Sequence, residues 1–172
     1  MKKILFVSTV LFISIFMCSQ IAEAQRISAG GGVGYGSKSE DLNFSVNVYH
    51  RLSTLPMRIG GDVGYTRPRS SGNVQRDLID GNLNVHFMAI DHELISIYSI
   101  TGLNVLHTII RTENDDQTTR ENDTDFGFNL GAGGELDIGN TGRVFGEVKY
   151  ILGSEREDQL IFGAGVRVNL GN

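Results

Sequence analysis

The chain lacks most of what staples, interrupts or catalyses in a soluble protein. It has one cysteine, Cys18, two prolines and no tryptophan in 172 residues. A single thiol excludes an internal disulfide and a multi-thiolate metal centre. Beyond the N-terminus no apolar run is long enough to cross a bilayer as a helix, so any membrane reading must rest on strands. There is no basic stripe, which argues against nucleic acid. No complete G-x-G-x-x-G leads into a helix, which removes a phosphate cradle. Strong helical periodicity is absent too. What the chain does have is glycine, 22 residues of it, and a persistent alternation of apolar and polar positions.

The first 24 residues read as a secretory signal. Lys2 and Lys3 are followed by an apolar run from Ile4 to Met17 and by the small-x-small site Ala22-Glu23-Ala24. Processing as a lipoprotein at Cys18 is disfavoured, because Ile15-Phe16-Met17 offers no small residue before it. Cleavage after Ala24 makes 1–24 a signal peptide and 25–172 one domain. The 15 basic and 20 acidic residues lose Lys2, Lys3 and Glu23, which leaves 13 and 19, net −6.

Period-2 alternation predicts eight strands at about 26–36, 42–50, 57–66, 77–88, 94–109, 126–138, 143–152 and 159–170. In the second, Leu42, Phe44, Val46 and Val48 oppose Asn43, Ser45 and Asn47. In the sixth, Phe126, Phe128, Leu130 and Leu136 oppose Asn129, Glu135 and Asp137. The fifth is the least clean. Tyr98, Ile100 and Asn104 share one parity and Leu103 and Val105 the other, which suggests a bulge. The two longest connections, 67–76 and 110–125, fall on the same end of an up-and-down arrangement.

Three features decide which parity faces inward. At least ten glycines, including Gly30, Gly32, Gly60 and Gly133, sit on the polar parity. A solvated strand face gains nothing from glycine, whereas a lumen closed by eight strands is barely wide enough for side chains. Tyr35, Phe44, Tyr65, Phe126, Tyr150 and Phe162 thread to one rim of the apolar face, and Phe87 and Tyr98 to the other, as in interfacial girdles. Asp62, Glu147, Lys149 and Arg167 fall near mid-strand on the polar parity, both signs together, and a mixed-sign cluster at one level would satisfy them. Tyr49, Arg58 and His86 point inward with them. The expectation is an all-β, eight-stranded antiparallel up-and-down transmembrane barrel.

With GGGVGYG (30–36), FGEVKY (145–150) and the closing GAGVRVNLG (163–171) in place, the chain resembles the small eight-stranded outer-membrane β-barrels of the OmpA transmembrane-domain and OmpX type. The resemblance covers about 26–172. It implies the cell outer membrane, a monomer, contact with outer-membrane lipids and lipopolysaccharide, and handling by the barrel-assembly machinery. Members often end in an aromatic residue, whereas this chain ends Leu170-Gly171-Asn172.

Chemistry is sparse, and no cofactor or metal is expected. His50 and His92 are read into turns at the signal-peptide end and His86 into the lumen. Only His107, beside Thr108, is placed for a lipid A-modifying site, and no serine stands two residues on. The acidic run 113–125 lacks the glycine and spacing of a calcium loop. Arg67, Arg69 and Arg76 are candidates for lipopolysaccharide phosphates, since guanidinium suits phosphate. The function expected is non-enzymatic, structural or surface-interacting, with a closed lumen. The alternatives are a lipid A-modifying enzyme and a soluble lipocalin-like binder.

Overall fold

The computed structural model describes residues 27–37, 41–66, 74–114, 117–139, 142–154 and 158–170. The expected signal peptide, Arg67 and Arg69 lie outside the described residues. The eight strands are β1 (Ile27–Gly36), β2 (Leu42–Arg51), β3 (Met57–Thr66), β4 (Val74–Asp91), β5 (Ile95–Asn114), β6 (Gln117–Asp137), β7 (Gly142–Gly153) and β8 (Gln159–Asn169). Each pairs antiparallel with its neighbour in sequence, and β1 pairs with β8 to close the barrel. Closure satisfies the main chain from within, which is what hydrocarbon demands of it.

The wall is inverted relative to a soluble protein. Leu42, Phe44, Val46, Leu83, Phe126, Phe128 and Phe162 are all more than half exposed. Asn47, Arg58, Asp62, Asn82, Asn84, His86, Asn104, Asn129, Glu135 and Arg167 are buried. Glycine makes room for the interior rings. A Cβ on Gly60 would lie 2.6 Å from Cδ1 of Tyr49, and one on Gly133 would lie 2.7 Å from Cε2 of Tyr98. On the outside, Tyr35 pairs with Phe162 across β1–β8 and Phe44 with Tyr65 across β2–β3. With Phe126 and Tyr150 these exposed rings crowd the end of the barrel opposite the termini, here termed the loop end.

Three expectations are corrected. The fifth strand carries no bulge: its register with β6 is continuous, and the one shift lies in β4, between Met88 and Ile90. Tyr98 does not join the outer girdle, because it and Ile100 are buried in the lumen. The alternation of β5 is therefore regular, with the apolar residues Tyr98 and Ile100 among those on the inside. The connection expected at 110–125 is mostly strand, since β5 and β6 pair from Ile95↔Leu136 to Asn114↔Gln117. Its Thr, Asn and Asp residues look like a loop until cross-strand pairing is counted.

That pairing makes the barrel lopsided. β4, β5 and β6 have 18, 20 and 21 residues, against 10 in each of β1, β2 and β3. A three-stranded sheet stands above the loop end on one side.

Candidate functional site

The lumen is built in two storeys of different chemistry. The storey nearer the termini is ionic. Arg58 from β3 meets Glu135 of β6 at 2.7 Å, and Arg167 from β8 contacts the same carboxylate. Arg167 also reaches Glu147 of β7 at 2.6 Å, while its Nε donates to Asn47 Oδ1 at 2.9 Å. The Tyr98 hydroxyl donates to Glu147 at 2.8 Å. The rings complete the packing: the Arg167 guanidinium lies 3.8 Å from the Phe145 centroid, and that of Arg58 4.4 Å from Tyr98. His86 stacks on Tyr98 at 4.7 Å, and its Nδ1 accepts from Arg58 Nε at 3.0 Å. Two buried arginines and two buried glutamates thus share partners, the arrangement that makes buried charge tolerable.

The storey nearer the loops runs on amides. Asn82 and Asn84 donate to the two oxygens of Asp62 at 2.7 and 3.0 Å. Asn129 Nδ2 donates to Asn82 and Asn84 at 2.8 and 2.9 Å, and Asn104 to Asn82 at 2.7 Å. Asn43 bridges Asp80 and Thr66 at 2.8 and 3.0 Å. The amide group suits this role because each carries both donors and an acceptor, so chains can close without net charge. Beside it a cavity of about 70 Å³ is lined by Leu78, Leu106, Ile151 and Ile161 together with Asn43 and Asn104.

The four lumen residues singled out from the sequence do not form one level. Glu147 and Arg167 pair in the ionic storey, whereas Lys149 reaches Asp62 at 3.5 Å in the amide storey. Glu135, which anchors the ionic storey through both arginines, was legible only as an inward parity. The asparagines were legible as polar strand residues but not as a connected layer, because connection depends on register between strands far apart in sequence.

Arg76 stands on the protruding part of β4, exposed, and shares parity with Leu78 and Asp80 over the barrel mouth rather than facing lipid. The guanidiniums on the outward face are instead Arg111 and Arg120, which are Cα partners across β5–β6, with Asp77 at 3.6 Å from Arg111. His50 is in β2, not a turn. His107 faces outward, with a ring nitrogen 2.9 Å from the Thr124 hydroxyl.

Among the described residues, the β7 ladder covers only the lower part of β6. Pairing of β6 with β7 starts at Gly127↔Gly153, and the Ser154 N–H donates to the Phe126 carbonyl at 2.9 Å. Backbone groups alternate in direction along a strand, so Thr124, Asn122 and Arg120 turn theirs to the same side. Among the described residues no strand pairs with them there. The Thr124 N–H is capped by Asp123 Oδ1 at 2.9 Å. The side chains of Glu121, Asp123 and Asp125 lie on the face turned over the mouth.

Comparison with solved structures places this architecture. A major outer membrane protein of Thermus thermophilus superposes with a TM-score of 0.66 at 9% identity, over 83% of this chain and 98% of that one. This chain has the fold of the eight-stranded outer-membrane barrels. The N-terminal β-barrel domain of Pseudomonas aeruginosa OprF gives 0.57 at 17% identity, over 84% and 96%. Ail, the attachment invasion locus protein of Yersinia pestis, gives 0.54 at 15% identity, over 83% and 96%. No family model matches the sequence. No curated protein matches it either.

Proposed function

We propose that the chain is a non-enzymatic outer-membrane barrel that keeps its lumen shut and serves a structural or surface-interaction role through the β4–β6 sheet. The observation that carries this reading is the inversion of the wall: exposed aliphatic and aromatic side chains outside, a hydrogen-bonded polar interior within. Such a surface matches hydrocarbon and would aggregate in water. An eight-stranded lumen filled with paired side chains leaves no wide channel. Assembly by the barrel-assembly machinery and contact with lipopolysaccharide belong to the same proposal, with Arg111 and Arg120 the outward-facing guanidiniums of the protruding sheet.

The absence of catalysis is part of the proposal. His107 meets a threonine on the lipid side rather than an activated serine beside an acid, which is what supports the assignment. A fold neighbour named for attachment and invasion fits a role at the cell surface.

The test is fractionation of expressing cells, then electrophoresis of the outer-membrane fraction with and without boiling. A heat-shifted band in that fraction is expected. Recovery as a soluble periplasmic protein would end this reading in favour of a small-molecule binder. A change in lipid A mass on expression, lost in His107→Ala, would replace it with a lipid-modifying enzyme.

A further inference from the structure

We infer that the cavity at the loop end of the lumen binds a primary ammonium carried on a short alkyl group, with Asp80 as its counter-ion. The inference goes beyond the surface role proposed above and rests on that reading only for the barrel itself.

The charge of the amide storey is unbalanced. Asp80 accepts from Asn43 at 2.8 Å and from Asn82 at 3.0 Å, and among the described residues no cation is paired with it. Lys149 is engaged by Asp62, so Asp62 and Asp80 stand against one ammonium. A half-buried carboxylate held by amides alone is hydrogen-bonded but not neutralised. Away from bulk water an arriving cation interacts with it more strongly than on an open surface.

The fold leaves room beside that carboxylate. The cavity of about 70 Å³ brings Asp80 and Thr66 together with Leu78, Leu106, Ile151 and Ile161. A smaller one of about 30 Å³ shares Asn43, Asp80 and Ile161 with it. Glycine on the neighbouring strand makes part of this space: a Cβ on Gly64 would collide with Asp80 Oδ1 and lie 2.6 Å from Asn43 Nδ2. Leu78, Asp80, Leu106 and Ile161 are half-buried rather than sealed, so the cavity is reached from the mouth. Over that mouth the exposed Glu121 and Asp123 outnumber Arg76, a balance that draws cations inward.

The lining selects the ligand. A bare metal ion needs a shell of oxygens and would meet aliphatic side chains on much of its surface. A neutral apolar molecule would cover the leucines and isoleucines but leave Asp80 without a counter-charge. An alkylammonium does both, its N–H groups donating to Asp80 and its carbons lying against the aliphatics. Its size follows from the volume, which is roughly half of the ~150 Å³ that accommodates benzene and so suits about four non-hydrogen atoms. Free amines and the phosphatidylethanolamine headgroup both carry this group. The cavity opens inside the ring of outward-facing aromatics, towards water, which favours the free amine.

The test uses the full mature chain, labelled at Leu and Ile methyls and refolded in a maltoside detergent, with foldedness checked by the heat-shifted band. The probe is n-propylammonium, followed by methyl NMR at an ionic strength held with tetraethylammonium chloride, a cation too large for the cavity. Saturable shifts are expected at Leu78, Leu106, Ile151 and Ile161 and not at the lipid-facing Ile59 and Leu83. Asp80→Asn should weaken binding about tenfold or more. Ile161→Phe, which fills the space and leaves the charge alone, should abolish it. Should either variant fail to fold, 1-propanol on the unaltered protein carries the test: it has the same tail without the charge and should bind about tenfold more weakly or worse.

Equal shifts from 1-propanol would overturn the assignment in favour of an apolar ligand, and equal shifts from sodium chloride in favour of a bare ion. Cavity shifts in nanodiscs of phosphatidylethanolamine, absent in phosphatidylcholine and with no amine added, would overturn the free amine in favour of a lipid headgroup. No shift with any of these solutes would end the inference, while a heat-shifted outer-membrane band would leave the barrel reading standing.

Discussion

The two storeys of the lumen solve one problem by opposite means. Both must fill a narrow tube with polar groups that lipid-facing strands cannot hydrate. Near the termini the filling is charge: Arg58 pairs with Glu135 and Arg167 with both Glu135 and Glu147, with tyrosine and phenylalanine rings against the guanidiniums. Near the loops it is neutral amide, with Asp62 the acceptor at the centre and Lys149 at longer range. The ionic storey has few members, each indispensable to the rest, because removal of one strands a charge. The amide storey spreads its bonds over many members, so each loss is shared.

The comparison breaks most severely at Arg167. Arg167→Ala leaves Glu147 and Glu135 buried with one cation fewer, and a loss of about 3–5 kcal/mol is expected. It would be measured as the urea midpoint of the heat-shifted band in refolded protein. A loss below that seen for single asparagines would refute the contrast.

Next comes the amide storey. Asn129→Ala removes the donor to Asn82 and Asn84. The expected cost is about 1–3 kcal/mol, since Asn82 Oδ1 still receives Asn104 but Asn84 Oδ1 loses its donor.

Lys149→Met sharpens the contrast rather than breaking it. Asp62 keeps two amide donors, and the ion pair is long at 3.5 Å, so the cost should stay near 1 kcal/mol. A penalty equal to that of Arg167→Ala would mean that both storeys depend on charge. Smallest of all is Arg111→Gln. Its side chain is 46% exposed and its ion pair with Asp77 is 3.6 Å long, so stability should change by no more than about 0.5 kcal/mol.

Much of the fold is legible in the sequence. Strand number and the lipid-facing parity follow from alternation in stretches such as Leu42–Val48 and Phe126–Leu130, where two faces differ sharply in polarity. Tyr98 and Ile100 misled because parity analysis assumes that apolar residues share a side, and a lumen also needs rings to pack against arginine. The strand character of 111–125 was hidden for a related reason. Threonine, asparagine and aspartate there carry no hydrophobic period, and they become strand only through pairing with each other.

Placement of the site was less legible than the fold. That Asp62, Glu147, Lys149 and Arg167 share the inward parity is a property of sequence. That they separate into two storeys is set by the stagger of β3, β7 and β8 around the closed wall.

The sequence by itself determined the count of strands, the side of each that meets lipid, and the glycines that make space within, because period and side-chain volume are local. Only the tertiary structure decided which charge meets which, that asparagines from β4, β5 and β6 join into one layer, and that β4, β5 and β6 outrun the rest of the wall. Those depend on register and closure, which bring together residues far apart in the chain, such as Asn47 and Arg167 at a separation of 120 positions.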